Sequence, residues 1–225
     1  WGNTTLNDLL VELEATSGRD LKPWVATWLQ TAGVNTLRPK IVMAGETYTS
    51  IAVCQEAPLM PEGSKQLRPH RMAVGLYDLK DGVLVRRKSV ELDVAGATTD
   101  VPELAGEKVA DLVLLNDHDL SYGKIRFDDR SLATLMNHLG DIQDPLSRAL
   151  CWSATWDMLR DGELAASDYV PMAIKALAGE SDVAVVTMTL TQLETAVEIF
   201  AADTNRSKLR KILASGIAAL LDKMQ

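Results

Sequence analysis

Apolar residues recur every three to four positions up to about residue 33, every second position from about residue 37 to residue 127, and every three to four again beyond Asp128. Those periods predict helix, strand and helix in turn, because each repeat places one face of that element inward. Leu6, Leu9, Leu10 and Leu13 form a first helical stripe, which Gly18 is placed to close in a left-handed turn. Asp20 is expected to cap a second helix, with Pro23 in its first turn and an inner stripe of Leu21, Trp24, Val25, Trp28 and Leu29 ending at Gly33. Two short helices cannot bury both stripes against each other, so an apolar face is left over.

Candidate strands cover 37–43, 49–55, 71–79, 83–94, 109–116 and a short stretch at 124–127. Asp81-Gly82 reads as a tight hairpin, since both residues tolerate positive φ. Val90, Leu92 and Val94 alternate with Ser89, Glu91 and Asp93, which predicts one buried and one wet face. Beyond them, Asp144-Pro145 is a cap followed by proline at the first helical position, launching Leu146, Leu150, Ala154 and Met158 on one face until Gly162. Further helices are expected at about 168–178, from Asp182 through Val183, Val186, Leu190, Leu193 and Val197, and from Leu209 to an uncapped end at Gln225. The fold class is multidomain α and β: a short helical segment (1–35), an antiparallel β-sandwich (36–120) and an α-helical solenoid of antiparallel helix pairs (121–225).

Composition changes this picture little. Apolar residues make up 47% and charged residues 24%, which is globular material. With 23 basic against 31 acidic residues the net charge is −8, which argues against a phosphate-tracking surface and hence a nucleic-acid partner. The basic runs at 86–88 and 206–211 read as solvated strand and helix faces. Cys54 and Cys151 read as buried thiols rather than a disulfide, in keeping with a reducing compartment. No run of eighteen apolar residues suited to a bilayer is expected, and no membrane partner; the chain starts at Trp1 without an initiator methionine.

Candidate chemistry is sparse. His70, His118 and His138 fall in a strand entry, a loop and a helix, and no HExxH helix, CxxC pair, GxSxG elbow or Gly-rich phosphate loop is present. Asn116-Asp117-His118-Asp119, with Asp128 and Asp129 nearby, offers oxygen ligands for a hard cation; a polar loop whose side chains bond the local backbone is the more economical reading. Trp152 and Trp156 read as packing, Met158, Met172 and Met188 as core filler, and Glu12, Glu14, Glu194 and Glu198 as isolated, solvated carboxylates. No catalytic, metal-ligating or cofactor-binding residue is assigned.

Three stretches carry a resemblance. SGRDLKPWVATWLQTAGVNTLRP, residues 17–39, looks like the last helix of the thermolysin-like domain of the aminopeptidase N family of zinc metallopeptidases, although its close from Trp28 to Gly33 departs slightly from the family's spacing. RPHRMAVGLYDLKDGVLVR, residues 68–86, resembles the sandwich hairpin of the actinobacterial, cytoplasmic branch. LLNDHDLSYGKIRFDDRSL, residues 114–132, is similar to the family's Tyr-Tyr-Arg-Val-Asn-Tyr-Asp segment at the passage into the helical domain. The resemblance implies the end of a catalytic domain, a whole β-sandwich and the opening helices of a C-terminal bowl. It implies zinc and peptide substrates for a longer protein, with the metal ligands upstream of Trp1. It makes Trp24, Trp28, Tyr122, Arg126 and Asp128 candidates for interdomain packing, the two tryptophans against the catalytic domain or its junction with the sandwich. A non-catalytic scaffold of the same architecture is the alternative. An independent sandwich binding module is weaker, because Tyr48, Tyr77, Tyr122 and Phe127 are thin material for a ligand platform.

Overall fold

Two sheets form the middle of the molecule. β1 (Thr36–Ala44), β2 (Thr47–Glu56), β5 (Thr98–Asp100) and β7 (Lys124–Ile125) make one, in the order β5-β2-β1-β7; β3 (His70–Lys80), β4 (Val83–Val94) and β6 (Leu112–Leu115) make the other, ordered β4-β3-β6. The computed structural model describes residues 2–222; Trp1 and the uncapped end at Gln225 lie outside them. The β3–β4 hairpin turns at Asp81 (φ 51°) and Gly82 (φ 82°), the geometry the Asp-Gly pair predicts.

The pairings are antiparallel except that of β1 with β7, where Thr36 lies beside Lys124 and Leu37 beside Ile125 in parallel. β6 is shorter than the expected 109–116, because the Val109 N–H bonds to the Glu46 carbonyl on the other sheet and Asn116 turns the chain with φ 57°. β3 and β6 are buried on both faces, which is why their sequences run apolar instead of alternating. Sheet β4-β3-β6 has its partner sheet on one side and helices on the other, and one apolar core runs from Leu37, Ile51 and Val74 through Leu114 to Trp152 and Tyr169.

At the N-terminus, α1 (Leu6–Ser17) opens with a Thr5–Asp8 capping box and closes at Gly18 (φ 66°). None of its residues is buried. α2 (Lys22–Trp28) stops short of Gly33, and its capping position is Leu21, one residue later than expected; Asp20 still accepts the Lys22 N–H at 3.0 Å. Of its predicted inner stripe only Val25 is buried, while Trp24 (44% exposed) and Leu29 remain open.

Beyond the sheets, α3 (Asp129–His138), α4 (Pro145–Arg160), α5 (Ala166–Leu177), α6 (Val183–Thr195) and α7 (Asp203–Asp222) gather around α5, which contacts each of the other four. The Asp144 side chain caps α4 and that of Asp182 caps α6, as their positions before Pro145 and Val183 predict. α5 begins two residues before the expected 168, from Ala165 with no side-chain cap. Leu146, Val183, Met188 and Leu190 are exposed, against expectation: α4 buries the neighbouring face of Cys151, Trp152, Thr155 and Leu159, and of the α6 stripe only the later part, Leu193 and Val197, is buried. α6 runs on through a π turn, so that Val183–Phe200 reaches the length and mean hydropathy (1.3) of a spanning helix, which corrects the expectation that no such stretch exists; only 22% of it is buried.

Candidate functional site

The chemistry-bearing side chains gather at three junctions between elements. At the first, Arg68 closes the end of α2. Its guanidinium is buried and donates to the carbonyls of Thr27 (3.0 Å), Thr31 (3.3 Å) and Ala32 (3.3 Å), and to Asn35 Oδ1 (3.1 Å). A cation suits a helix C-terminus, where unsatisfied carbonyls carry partial negative charge. These contacts also explain why the helix ends at Trp28. The half-buried Trp28 ring meets the His70 ring edge-on, centroids 5.2 Å apart, with Arg68 5.6 Å from its centre. Trp28 therefore packs in part on the chain's own sandwich, whereas Trp24 points no ring at it.

His70 is held from both sides. Gln55 Nε2 donates to the Arg68 carbonyl at 2.8 Å, which orients that amide and leaves His70 Nε2, 3.2 Å away, as an acceptor; Nδ1–H then donates to Ser121 Oγ at 2.7 Å. Burial, and then the Arg68 charge, pull its pKa from the ordinary 6.5 to about 4. The unfolded chain thus takes up this proton first, so stability is expected to fall as pH drops from 6.5 to about 4 and to level off below. Thermal unfolding of the protein and of His70→Gln across that range checks this: the variant should lose most of that slope.

The second junction ties β1 and β7 to the turn between α4 and α5. Arg126, 1% exposed, pairs with Asp161 and, at 2.8 Å, with Glu163. Lys124 reaches Asp161 at 2.7 Å, and Arg38 joins Glu163 (2.7 Å) to Glu56 (2.6 Å). For Asp161, burial alone would raise the pKa, but hydrogen bonds from Lys124 and Arg126 more than offset it; for Glu163 the Arg38 hydrogen bond is the main cause of a lowered value. A cleft of about 440 Å³ beside this network is lined by both carboxylates and by Pro58, Leu59 and Met60. Asp128 caps α3 through the N–H groups of Arg130 (3.2 Å) and Ser131 (3.4 Å), and Tyr122 is 73% exposed.

The third junction is the 116–119 loop. Asn116 behaves as a polar loop residue, accepting the Ser121 N–H (3.1 Å) and donating to its carbonyl (2.7 Å). Asp117 does not: fully buried, it leaves the local backbone and accepts from the Tyr77 hydroxyl and from Ser147 Oγ (3.1 Å), while Arg86 pairs with it at 2.7 Å. Gly75 makes room for it, since a Cβ there would lie 2.5 Å from the carboxylate.

Several expectations change on this geometry. The basic run at 86–88 is engaged, Arg86 by Asp117 and Asp144, Arg87 by Asp78 and Glu107, and Lys88 by Glu107. Glu198 pairs with Arg210 and Glu14 accepts the Leu21 N–H, so neither is isolated. Cys151 is buried but Cys54 is only half-buried, and both are free thiols. Trp152 donates to Glu180 at 3.1 Å, and Trp156 packs on Tyr169 and Phe200. Among the described residues no three His, Cys, Asp or Glu side chains converge to hold a metal; Asp117, Asp128, His70 and His138 are each bonded elsewhere, so these residues do not fit zinc. Arg68 and Glu180 are hubs that no sequence signal marks, and Asp117 is marked only as one member of a polar loop.

A family model described as ERAP1-like C-terminal domain matches residues 112–225, from the first residue of β6 onward. The chain is also 51% identical, over 214 residues and 93% of its length, to Aminopeptidase N of Streptomyces lividans. It spans only 25% of that relative.

Proposed function

This chain belongs to the family of ERAP1-like C-terminal domains, and from that membership we propose that it is the non-catalytic C-terminal portion of a zinc-dependent aminopeptidase that removes N-terminal amino acids from peptides. On this reading residues 1–35 end the thermolysin-like catalytic domain, 36–120 form the β-sandwich and 121–225 open the helical domain. The helical part shapes and closes the chamber that admits peptide ends, so its contribution is selection by exclusion. Zinc is held by residues outside this chain, and the protein works in the cytoplasm.

The observation that carries the reading is the 51% identity to Aminopeptidase N over 214 residues, a span too long to leave out the helical segment, the sandwich or the helices. The N-terminal helices support it. Leu6, Leu9, Val11 and Leu13 on α1, with Trp24 and Leu29 after it, stand exposed, while Val25 is buried and Trp28 packs in part on the sandwich. Apolar burial is worth about 25 cal/mol per Å², so covering these side chains with the catalytic domain would contribute several kcal/mol. Tyr122 is free for such a contact, while Arg126 and Asp128 act at the boundary of sandwich and helices.

The test is hydrolysis of an aminoacyl-arylamide. The full-length protein is expected to release the arylamine, to lose that activity on chelation and to regain it with zinc, while the 225-residue chain turns nothing over. Chelator-sensitive turnover by the chain alone would refute the division of labour. A full-length protein without activity would leave the scaffold reading in its place.

A further inference from the structure

We propose that the loop joining β2 to β3, residues 57–69, is the sandwich's own docking surface for the catalytic domain, with Leu59 and Met60 as its contact residues. This inference rests on the reading above, in which α1 and α2 end that domain. The tip of the loop, Pro58-Leu59-Met60-Pro61, carries no charge, and Leu59 is 89% and Met60 72% exposed. Apolar side chains scattered singly on a surface are ordinary, whereas a contiguous group on a fixed support marks a place of contact.

The loop is held from beneath. The buried Asn35 side chain donates to the carbonyls of Glu56 (3.1 Å) and Gln66 (2.6 Å), which closes the loop at both ends, and accepts from Arg68 Nη1 at 3.1 Å. The first part of the loop lies on Gly33 (φ 89°), where a Cβ would collide with the Pro58 side chain and the Met60 carbonyl. The backbone is thus seated on the connection between α2 and β1 while its two large side chains face outward. The described helices do not cover them: Leu59 and Met60 line the 440 Å³ cleft together with Asp161 and Glu163, and still remain this exposed.

The anchorage selects the occupant. Gly33 and Asn35 belong to the connection through which α2 enters β1, so the body that α1 and α2 belong to is tethered beside the loop. So short a tether gives that body an effective concentration at the loop that a separate molecule does not match. The segment 119–123 reaches the same connection, since the Lys124 N–H bonds to the Asn35 carbonyl (2.9 Å) and Ser121 Oγ meets His70 (2.7 Å); it carries the exposed Leu120 and Tyr122. Three segments far apart in sequence therefore bring uncovered apolar side chains to one connection: α2 with Trp24 and Leu29, the β2–β3 loop, and 119–123. That arrangement suits an interface between domains of one chain.

The test uses the full-length protein at low concentration, with Leu59 replaced by the photo-crosslinker benzoylphenylalanine, and maps the linked peptides by mass spectrometry. The same probe in place of Leu9, on α1, tests the reading on which the proposal rests. Both positions are expected to link, within one molecule, to residues preceding Trp1. If position 9 does so while position 59 links to nothing, only to residues 36–222, or only to a second molecule, the docking surface is overturned and the division of labour stands. Upstream links from neither position overturn both. A link from position 59 alone upholds the docking surface and refutes only the burial of α1.

Discussion

Asp117→Ala is expected to destabilise the protein by about 3–5 kcal/mol, the range for breaking a buried ion pair from one side. The carboxylate is fully buried and holds three donors at once: the Tyr77 hydroxyl from β3, Ser147 Oγ from α4 and the Arg86 guanidinium from β4. Its removal takes the buried negative charge away from Arg86 and leaves the Tyr77 hydroxyl only Ser147 Oγ (2.7 Å) and Ser147 only Asp144 (3.0 Å) as acceptors, so that the desolvation these groups had undergone is less fully offset. Arg86 keeps Asp144, at the head of α4, which moderates the loss without abolishing it. Ser147→Ala removes a hydroxyl and strands no charge, so about 1 kcal/mol is expected there. Urea unfolding of the three proteins ranks them. An Asp117→Ala loss no larger than that of Ser147→Ala would mean that Asp117 is not the joint between sheet and helices.

That joint shows what a sequence does and does not display. Elements whose signals are local were legible: Gly18 after the first stripe, Asp81-Gly82 between two apolar runs and Asp144-Pro145 before a long helix all appear where expected. β5 was missed because three residues, Thr98–Asp100, cannot display a period. The parallel seat of β7 beside β1 joins residues nearly ninety positions apart, and nothing in either segment specifies the other. Asn116 and Asp117 are adjacent and chemically close, yet one bonds its own loop and the other crosses to α4. Which of them does so depends on the space left by Gly75, forty positions away. The exposed faces of α1 and α6 divide the same way: their stripes were visible in the sequence, but how much of each the chain itself covers is a property of the assembled fold.

Glu180→Ala should have the second large effect, about 3–4 kcal/mol by the same one-sided loss. Glu180 sits between α5 and α6 with its side chain 1% exposed. It accepts from both arms of Arg148 (2.9 and 3.1 Å), from the Trp152 indole (3.1 Å) and from the N–H groups of Ser181 (2.9 Å) and Asp182 (3.1 Å). One carboxylate thus fixes α4 against the start of α6. Burial alone would raise its pKa, but the Arg148, Asp182 and Trp152 hydrogen bonds and the Arg148 charge outweigh burial and bring it from the ordinary 4.5 to about 2. A carboxylate depressed on folding adds stability above its unfolded pKa and loses it as pH falls through the folded one, so this contribution is present above about 4.5 and fades between there and about 2. Glu180→Gln keeps an acceptor for the backbone N–H groups but gives up the charge facing Arg148. It should therefore sit between the parent and Glu180→Ala at neutral pH, with the gap to the parent narrowing as the pH is lowered toward 2. Chemical unfolding of the three proteins from neutral pH downward measures that convergence, and curves that stay parallel would show that Arg148 is held by something other than the charge on Glu180.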